Sequence, residues 1–331
     1  MNAILGLLRK YRIDPYLVLI VSMMLAATVL PVSGIAATGF DWLTKIAIAV
    51  LFFFHGAKLS RESVISGLTN WRLHLAIVAS TFLVFPAIGF ATQLLPGSIL
   101  PPALAAGVVF LCCLPSTIQS SIAFVGAARG NVAAAVVAAS ASNILGIFIT
   151  PVLAALLMHT SGGRGMGLDQ VEAIVLQLLA PFVAGQIARR WIGPWVDRHR
   201  PMLGYFDRGV ILAVVYGSFS AAVNEGIWRQ VNVVQIATLA VISLIILAII
   251  LLVTAFGARA LGFSKEDEIT IVMCGSKKSL ASGAPMAGIL FPAASVGMVL
   301  LPLMLFHQIQ LMACAAIAQR YGARPEPDAG A

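Results

Sequence analysis

Charge is what this chain has least of. Of its 331 residues only 10% are charged, where a soluble domain carries about 25%. Acids are the scarcer sign, with 13 Asp and Glu against 21 Lys and Arg. Every acid sits in a loop, a tail or an end turn of an apolar run: Asp14, Asp41, Glu62, Asp169, Glu172, Asp197, Asp207, Glu225, Glu266, Asp267, Glu268, Glu326 and Asp328. No carboxylate is therefore placed in mid-run to do acid–base work or to neutralise a buried base. Cysteine is equally sparse. Cys112, Cys113, Cys274 and Cys314 lie in apolar segments without CxxC or Cys/His spacing, and free cysteine behaves as a small buried hydrophobe. A disulfide framework and a metal cluster are excluded. No Ser/His/Asp ordering and no phosphate-cradling glycine loop is present, so neither an enzyme nor an organic cofactor is expected.

What the chain does have is apolar length. It is 60% hydrophobic, with a mean hydropathy of +0.97. A helix needs about 20 apolar residues to cross a bilayer. The runs accommodate ten helices, near 15–33, 41–59, 71–95, 100–126, 130–158, 168–192, 208–224, 233–262, 266–290 and 292–319. The class is an all-α polytopic membrane protein of the cell (inner or plasma) membrane. The opening MNAILGLLRKYRID places its basic cluster after a short apolar start, the reverse of a signal peptide. It reads as a cytoplasmic lead into the first helix.

The net charge of +8 invites a nucleic-acid partner, but excess Lys and Arg in a membrane protein mark cytoplasmic loops. With both termini cytoplasmic, sixteen fall inside: Arg9, Lys10, Arg12, Lys58, Arg61, Arg72, Arg129, Arg189, Arg190, Arg198, Arg200, Arg208, Arg259, Lys265, Arg320 and Arg324. Only Lys45, Arg164 and Arg229 fall outside. No basic run is left over for nucleic acid, and lipid is the surrounding partner. The Gly-rich external loop HTSGGRGMGLD, 159–169, divides the chain into five helices and five. The divisions are 1–160 and 161–320, followed by a cytoplasmic tail, 321–331. An odd number of spans per half makes the halves enter from opposite sides, the inverted-repeat arrangement common among secondary transporters.

Two segments break the apolar pattern, each in the fourth helix of its half. In LCCLPSTIQSSIAF, 111–124, Pro115 removes a backbone donor and crowds the preceding turn. Ser116, Thr117, Gln119, Ser120 and Ser121 follow it. In VMCGSKKSLASGAPMAGILF, 272–291, Gly275, Ser276, Ser279, Ser282, Gly283 and Pro285 surround Lys277 and Lys278. Irregular backbone at membrane depth survives only where it lines a cavity or is buried in protein. Broken helices at matching places in two halves point to a substrate site.

The lysines are the sharpest signal. Lys277 lies nine residues beyond Glu268, roughly 14 Å into the membrane at ~1.5 Å per residue. A lysine in mid-bilayer costs about 2.5–3.5 kcal/mol. Three arrangements would offset that: a watered cavity, an anionic ligand, or a lysine held neutral. Adjacent helical residues point ~100° apart, so the two serve different purposes. One faces a solute path; the other backs onto serines and carbonyls as a built-in cation. The sequence does not say which is which.

At these residues the chain resembles the SBF-like branch of the bile acid:sodium symporter superfamily. The resemblance rests on LPSTIQSSIAFVGAARGNVAAAVVAASASNILGIFITP and CGSKKSLASGAPMAGILF and extends over nearly the whole chain. It implies two inverted five-helix repeats. Helices one, two, six and seven would form a panel, and the other six a core whose fourth and ninth helices unwind and cross. In the sodium-coupled relatives the crossing holds two sodium ions. There a Gly-Gly-Thr-x-Ser-Asn pattern stands where this chain has Pro115 to Ser121, and a glutamate and Gln-Asn stand at Val272 and at Ser276-Lys277. The carboxylate is lost and lysines gained. An ammonium supplies no oxygen ligand and repels a cation. One ion held by the hydroxyls and Asn143, a lysine cycling its proton, and uncoupled transport all remain open.

The candidate substrate and ion site is Ser116, Thr117, Gln119, Ser120, Ser121, Asn143, Ser276, Lys277, Lys278 and Ser279. His307, with Gln308 and Gln310, is expected to pack against the crossing. Gln93 and Gln177 read as hydrogen-bonding contacts between helices. The expected function is alternating-access secondary transport of a small organic anion, with sodium or a proton as the candidate coupling ion. The competing expectation is a non-transporting regulator of ion homeostasis, for example of calcium, on the same fold.

Overall fold

The structure is a computed structural model, and it describes residues 15–58, 70–158, 168–224, 226 and 232–324. The N-terminal lead with Arg9, Lys10 and Arg12, the Gly-rich loop at 159–167, the acids Asp14, Glu62, Glu225, Glu326 and Asp328, the arginines Arg61, Arg164 and Arg229, and the tail at 325–331 lie outside the described residues, as do the side chains of Asp169, Glu172 and Gln177.

Among the described residues thirteen α-helices follow one another and no strand occurs: α1 (Pro15–Val29), α2 (Gly34–Lys58), α3 (Trp71–Ala79), α4 (Phe85–Thr92), α5 (Pro102–Cys113), α6 (Gln119–Ala127), α7 (Val132–Met158), α8 (Leu168–Arg198), α9 (Arg200–Asn224), α10 (Val233–Ala260), α11 (Lys265–Gly275), α12 (Leu280–Leu290) and α13 (Ala293–Gly322). A π-helical turn, Ser80–Val84, joins α3 to α4. Among the described residues six helical stretches are long and apolar enough to cross a membrane: Gly34–Lys58, Trp71–Thr92, Val132–Met158, Arg200–Asn224, Val233–Ala260 and Ser295–Gly322. The chain is an all-helical polytopic membrane protein. α10 shows why: Leu244, Ile245, Leu252, Val253 and Phe256 are exposed on it while its other side is buried, as for a helix bathed in lipid.

Local chemistry sets the boundaries. Asn232 and Gln235 form a reciprocal capping box at the start of α10, and Ser264 caps α11 by accepting from the Asp267 N–H. Gly262, at φ +73°, ends α10 in a left-handed turn. Several elements differ from the sequence reading. The basic stretch after Arg190 is not a loop: α8 runs on to Arg198 and α9 begins at Arg200, with Pro201 in its first turn, where proline is tolerated. The fourth and ninth apolar runs, by contrast, are each two short helices parted where the sequence reading placed its breaks. The π turn was not anticipated. It stands just before Phe85 and Pro86, and Pro86 has no N–H to donate and a ring that crowds the preceding turn.

By packing, the helices form two sets. α1, α2, α8 and α9 pack on one another, α2 against α8 most closely. A Cβ at Gly56 would run into the Phe182 carbonyl, and one at Gly185 into the Phe53 carbonyl, so both glycines are required for that approach. The remaining helices form the second set. The sets meet where α9 lies along α12 and α13, and where α8 lies against α7.

Basic residues gather at shared ends. Glu268 accepts from Arg259, Lys265 and the Tyr321 hydroxyl. Glu266 pairs with Arg324 at 2.9 Å, and Asp267 accepts from Asn131 at 2.9 Å. The starts of α7 and α11 and the ends of α10 and α13 therefore lie together. In the other set Lys58 pairs with Asp207 at 2.7 Å.

Candidate functional site

The two interruptions meet. Residues 114–118 part α5 from α6, and residues 276–279 part α11 from α12. The Ser279 N–H donates to the Pro115 carbonyl at 3.0 Å, and the Ser116 hydroxyl to the Cys274 carbonyl at 2.5 Å. A helix that stops leaves its last carbonyls without donors. At this depth each must find one inside the protein, and side chains of the neighbouring segments supply them. On the α11 side, Ser80 donates to Gly275 at 2.9 Å and Ser121 to Met273 at 3.4 Å. On the α5 side, Thr150 donates to Cys113 at 2.8 Å and Asn143 to Ser116 at 2.8 Å. The intersection is a set of mutual caps.

α7 holds this intersection in place through a stripe of four-residue spacing. Ser142, Gly146 and Thr150 are buried on one face of it. The Ser142 hydroxyl accepts from the Ser116 N–H at 3.0 Å. Pro115 presses into the gap left by Gly146, where a Cβ would stand 2.7 Å from the proline ring.

The lysines occupy the centre, and both are 0% exposed. Lys278 Nζ donates to the carbonyls of Thr81, Cys112 and Leu114 at 2.8, 2.8 and 2.6 Å. It also stands 4.1 Å from the centre of the Phe85 ring. Its backbone is clasped by Gln310, whose amide accepts from the Lys278 N–H and donates to the Lys278 carbonyl, each at 2.8 Å. Lys277 Nζ donates to the Ser120 carbonyl at 3.0 Å and lies 4.1 Å above the Phe124 ring. Neither ammonium has a carboxylate partner among the described residues. Glu268, the nearest acid in sequence, is engaged with Arg259 and Lys265. Lys278, set on three carbonyls, stands where the sequence reading put its built-in cation, one lysine of the pair backing onto carbonyls of the crossing. Carbonyls released by helix breaks, with aromatic faces, receive the ammonium groups.

Nine of the ten residues singled out from the sequence converge here. Thr117, Ser120 and Ser121 form a hydroxyl cluster with O–O distances of 2.7 and 2.8 Å. Ser279 caps α12 by accepting from the Ser282 N–H, and Ser282 donates to Asn143 Oδ1 at 2.5 Å. Ser276 is buried 3.8 Å from the Cys314 sulfur. Gln119 differs: it is exposed at the start of α6, on the edge where Ile118 and Ala281 are also exposed and Ser120 partly so. Ser80, Thr81, Ser142 and Thr150 join the site without having been singled out for it, and Gln310 packs against the crossing as expected. The spacing of Ser142, Gly146 and Thr150 was a readable signal; the π turn that aims Ser80 and Thr81 was not.

Similarity to known proteins places this arrangement among membrane carriers. The SBF-like CPA transporter family (DUF4137) matches over residues 14–323. A Pseudomonas aeruginosa protein, "Uncharacterized protein PA2026", is 54% identical over 318 residues, 96% of each chain. The Escherichia coli K12 protein named "Putative symporter YfeH" is 50% identical over 320 residues, again 96% of each chain. "Sodium/bile acid cotransporter 7" of Mus musculus is 30% identical over 277 residues, 82% of this chain and 80% of that one.

Proposed function

The chain belongs to the SBF-like CPA transporter family, and on that premise we propose that it is a secondary active transporter that carries a small organic anion by alternating access. That it is a transport protein and not an enzyme follows from the family and from its named symporter and cotransporter relatives. The single observation that carries the finer reading is the intersection of two broken helices around ammonium groups that no carboxylate neutralises. Positive charge at a helix break draws an anion. A relative named for bile acid, itself an organic anion, is consistent with that class.

In this reading the ten apolar runs form two inverted repeats, 1–160 and 161–320, in a cell membrane with both termini cytoplasmic. The set α1, α2, α8 and α9 is the panel, and the other helices are the core that moves against it. The panel's contacts with the second broken helix run through α12, while α11 packs chiefly on core helices. This supports an inward-facing state. Lys277 is the anion-facing base: its Nζ, buried in this state, bonds to Ser120, whose chain neighbour Gln119 is exposed. Ser116, Thr117, Ser120, Ser121, Ser276, Ser279 and Asn143 shape the seat.

Sodium is not held where the lysines stand, since an ammonium repels it at contact distance. Coupling then falls to a proton or is absent. The test is uptake of radiolabelled organic anions into proteoliposomes, with the sodium gradient and the pH gradient removed in turn. Uptake that survives removal of sodium supports the reading. Uptake that requires sodium contradicts the coupling part of it, and absence of uptake across the anion panel contradicts the whole.

A further inference from the structure

Transport needs one anion-facing base, and the crossing contains two lysines. Lys278 is the one with no task in that scheme. Its three ammonium protons each have a backbone oxygen, and each oxygen is available for a stated local reason. In the π turn the Phe85 N–H bonds to Ser80, one residue earlier than the α-helical partner, Thr81. The next donor along would be Pro86, which has no N–H. The Thr81 carbonyl is thereby left to Lys278. Cys112 would accept from the Ser116 N–H in a continuing helix, but that group bonds to Ser142 Oγ instead. Leu114 lies in the extended backbone that ends α5, at the negative end of that helix's dipole. The oxygens therefore come from separate chain segments and converge on one point. The buried Thr81 hydroxyl has no partner among the described residues. The Phe85 ring face closes another side.

We infer that the carbonyls of Thr81, Cys112 and Leu114 form a monovalent-cation site and that Lys278 Nζ is its permanent, tethered occupant. The ion that the crossing needs to hold its helix ends together is supplied by the chain, so no dissociable cation is required for folding. Gln310 is the positioning residue, because its two hydrogen bonds fix the Lys278 backbone from which the side chain reaches the site. Lys277 is built differently. It has one backbone acceptor and one ring, leaving two ammonium protons for other partners. The cation site itself does not depend on the transport reading.

The experiment removes the tether and asks for the ion. Purified Lys278→Ala and Lys278→Met are heated in chloride salts of methylammonium, ammonium, potassium, sodium and choline, beside wild type. Lys278→Ala is expected to melt about 10 °C below wild type in choline and to recover at least half of that loss in methylammonium or ammonium. Lys278→Met fills the space without charge, so it stays destabilised in every salt. Wild type is indifferent to the cation. The inference is overturned if no small cation improves Lys278→Ala over choline, or if Lys278→Met is as stable as wild type. Should Lys278→Ala fail to accumulate, reductive methylation of the folded wild type decides. Lys278 is expected to stay unmodified as long as the fold persists, and modification as fast as at exposed Lys45 overturns the inference. The readouts are melting and labelling, not flux, so this result and the transport result can fail separately.

Discussion

Gln310 on α13 pairs with the backbone of Lys278 as one extended strand pairs with another, accepting from its N–H and donating to its C=O, both at 2.8 Å. This is how a long helix across the bundle controls a residue in an irregular turn. Gln310→Leu keeps the volume and removes both bonds. The Lys278 N–H is left without a partner, at about 1–3 kcal/mol, while its carbonyl keeps only the longer contact to His307 Nδ1 at 3.3 Å. The expected outcome is a clear fall in melting temperature, with Gln310→Glu intermediate because it retains the acceptor. Thermal unfolding of the purified variants checks the order.

Gly146 accommodates Pro115. A Cβ there would stand 2.7 Å from the proline ring, so Gly146→Val pushes the first break off α7. Overpacking of this kind costs about 1–3 kcal/mol, and it moves the caps supplied by Ser142 and Thr150. Loss of stability and of anion uptake is expected together. Gly126→Ala is the control: a Cβ at that site meets only Val132, at an ordinary 3.8 Å, and should be neutral in both measurements.

The Glu268 carboxylate ties the end of α10, the start of α11 and the end of α13 through Arg259, Lys265 and Tyr321. Glu268→Ala should free the first turn of α11 without touching the lysine cage. Hydrogen exchange over residues 265–270 is expected to quicken by about tenfold or more, while residues 276–282 keep their protection. Equal loosening of both segments would show that the latch and the crossing open as one unit.

Topology has a direct check. All four cysteines are buried, so an impermeant maleimide should leave the wild type unlabelled. Arg198→Cys and Arg320→Cys are expected to react from the cytoplasmic side alone, and Lys45→Cys from the opposite side alone. Labelling of residue 320 from outside would break the ten-span reading.

Much of this architecture was legible because membrane depth makes polar residues informative. Pro115 with five polar neighbours, and two lysines without an acid, located both helix breaks to within a few residues. The features that escaped depend on partners distant in sequence. Thr81 looks like any threonine in an apolar helix until the π turn gives its α-helical donor, the Phe85 N–H, to Ser80, and Pro86 offers none in its place. Gln310 reads as a packing residue because nothing near it in the chain announces Lys278. The helical course of 190–208 was obscured by its charge: exposed Trp191, Trp195 and Tyr205 alternate there with arginines, a pattern that reads as a loop when only apolar runs are counted.

The central claim is that the unneutralised charge of Lys277 serves the carried anion. The most direct measurement is counterflow of a radiolabelled organic anion in proteoliposomes, with choline replacing sodium, for wild type and for Lys277→Ala of matched melting temperature. Wild type is expected to exchange the anion, and the variant to do so at least roughly 30-fold more slowly, the loss of one buried charge-assisted contact. Equal exchange by both proteins would contradict the account.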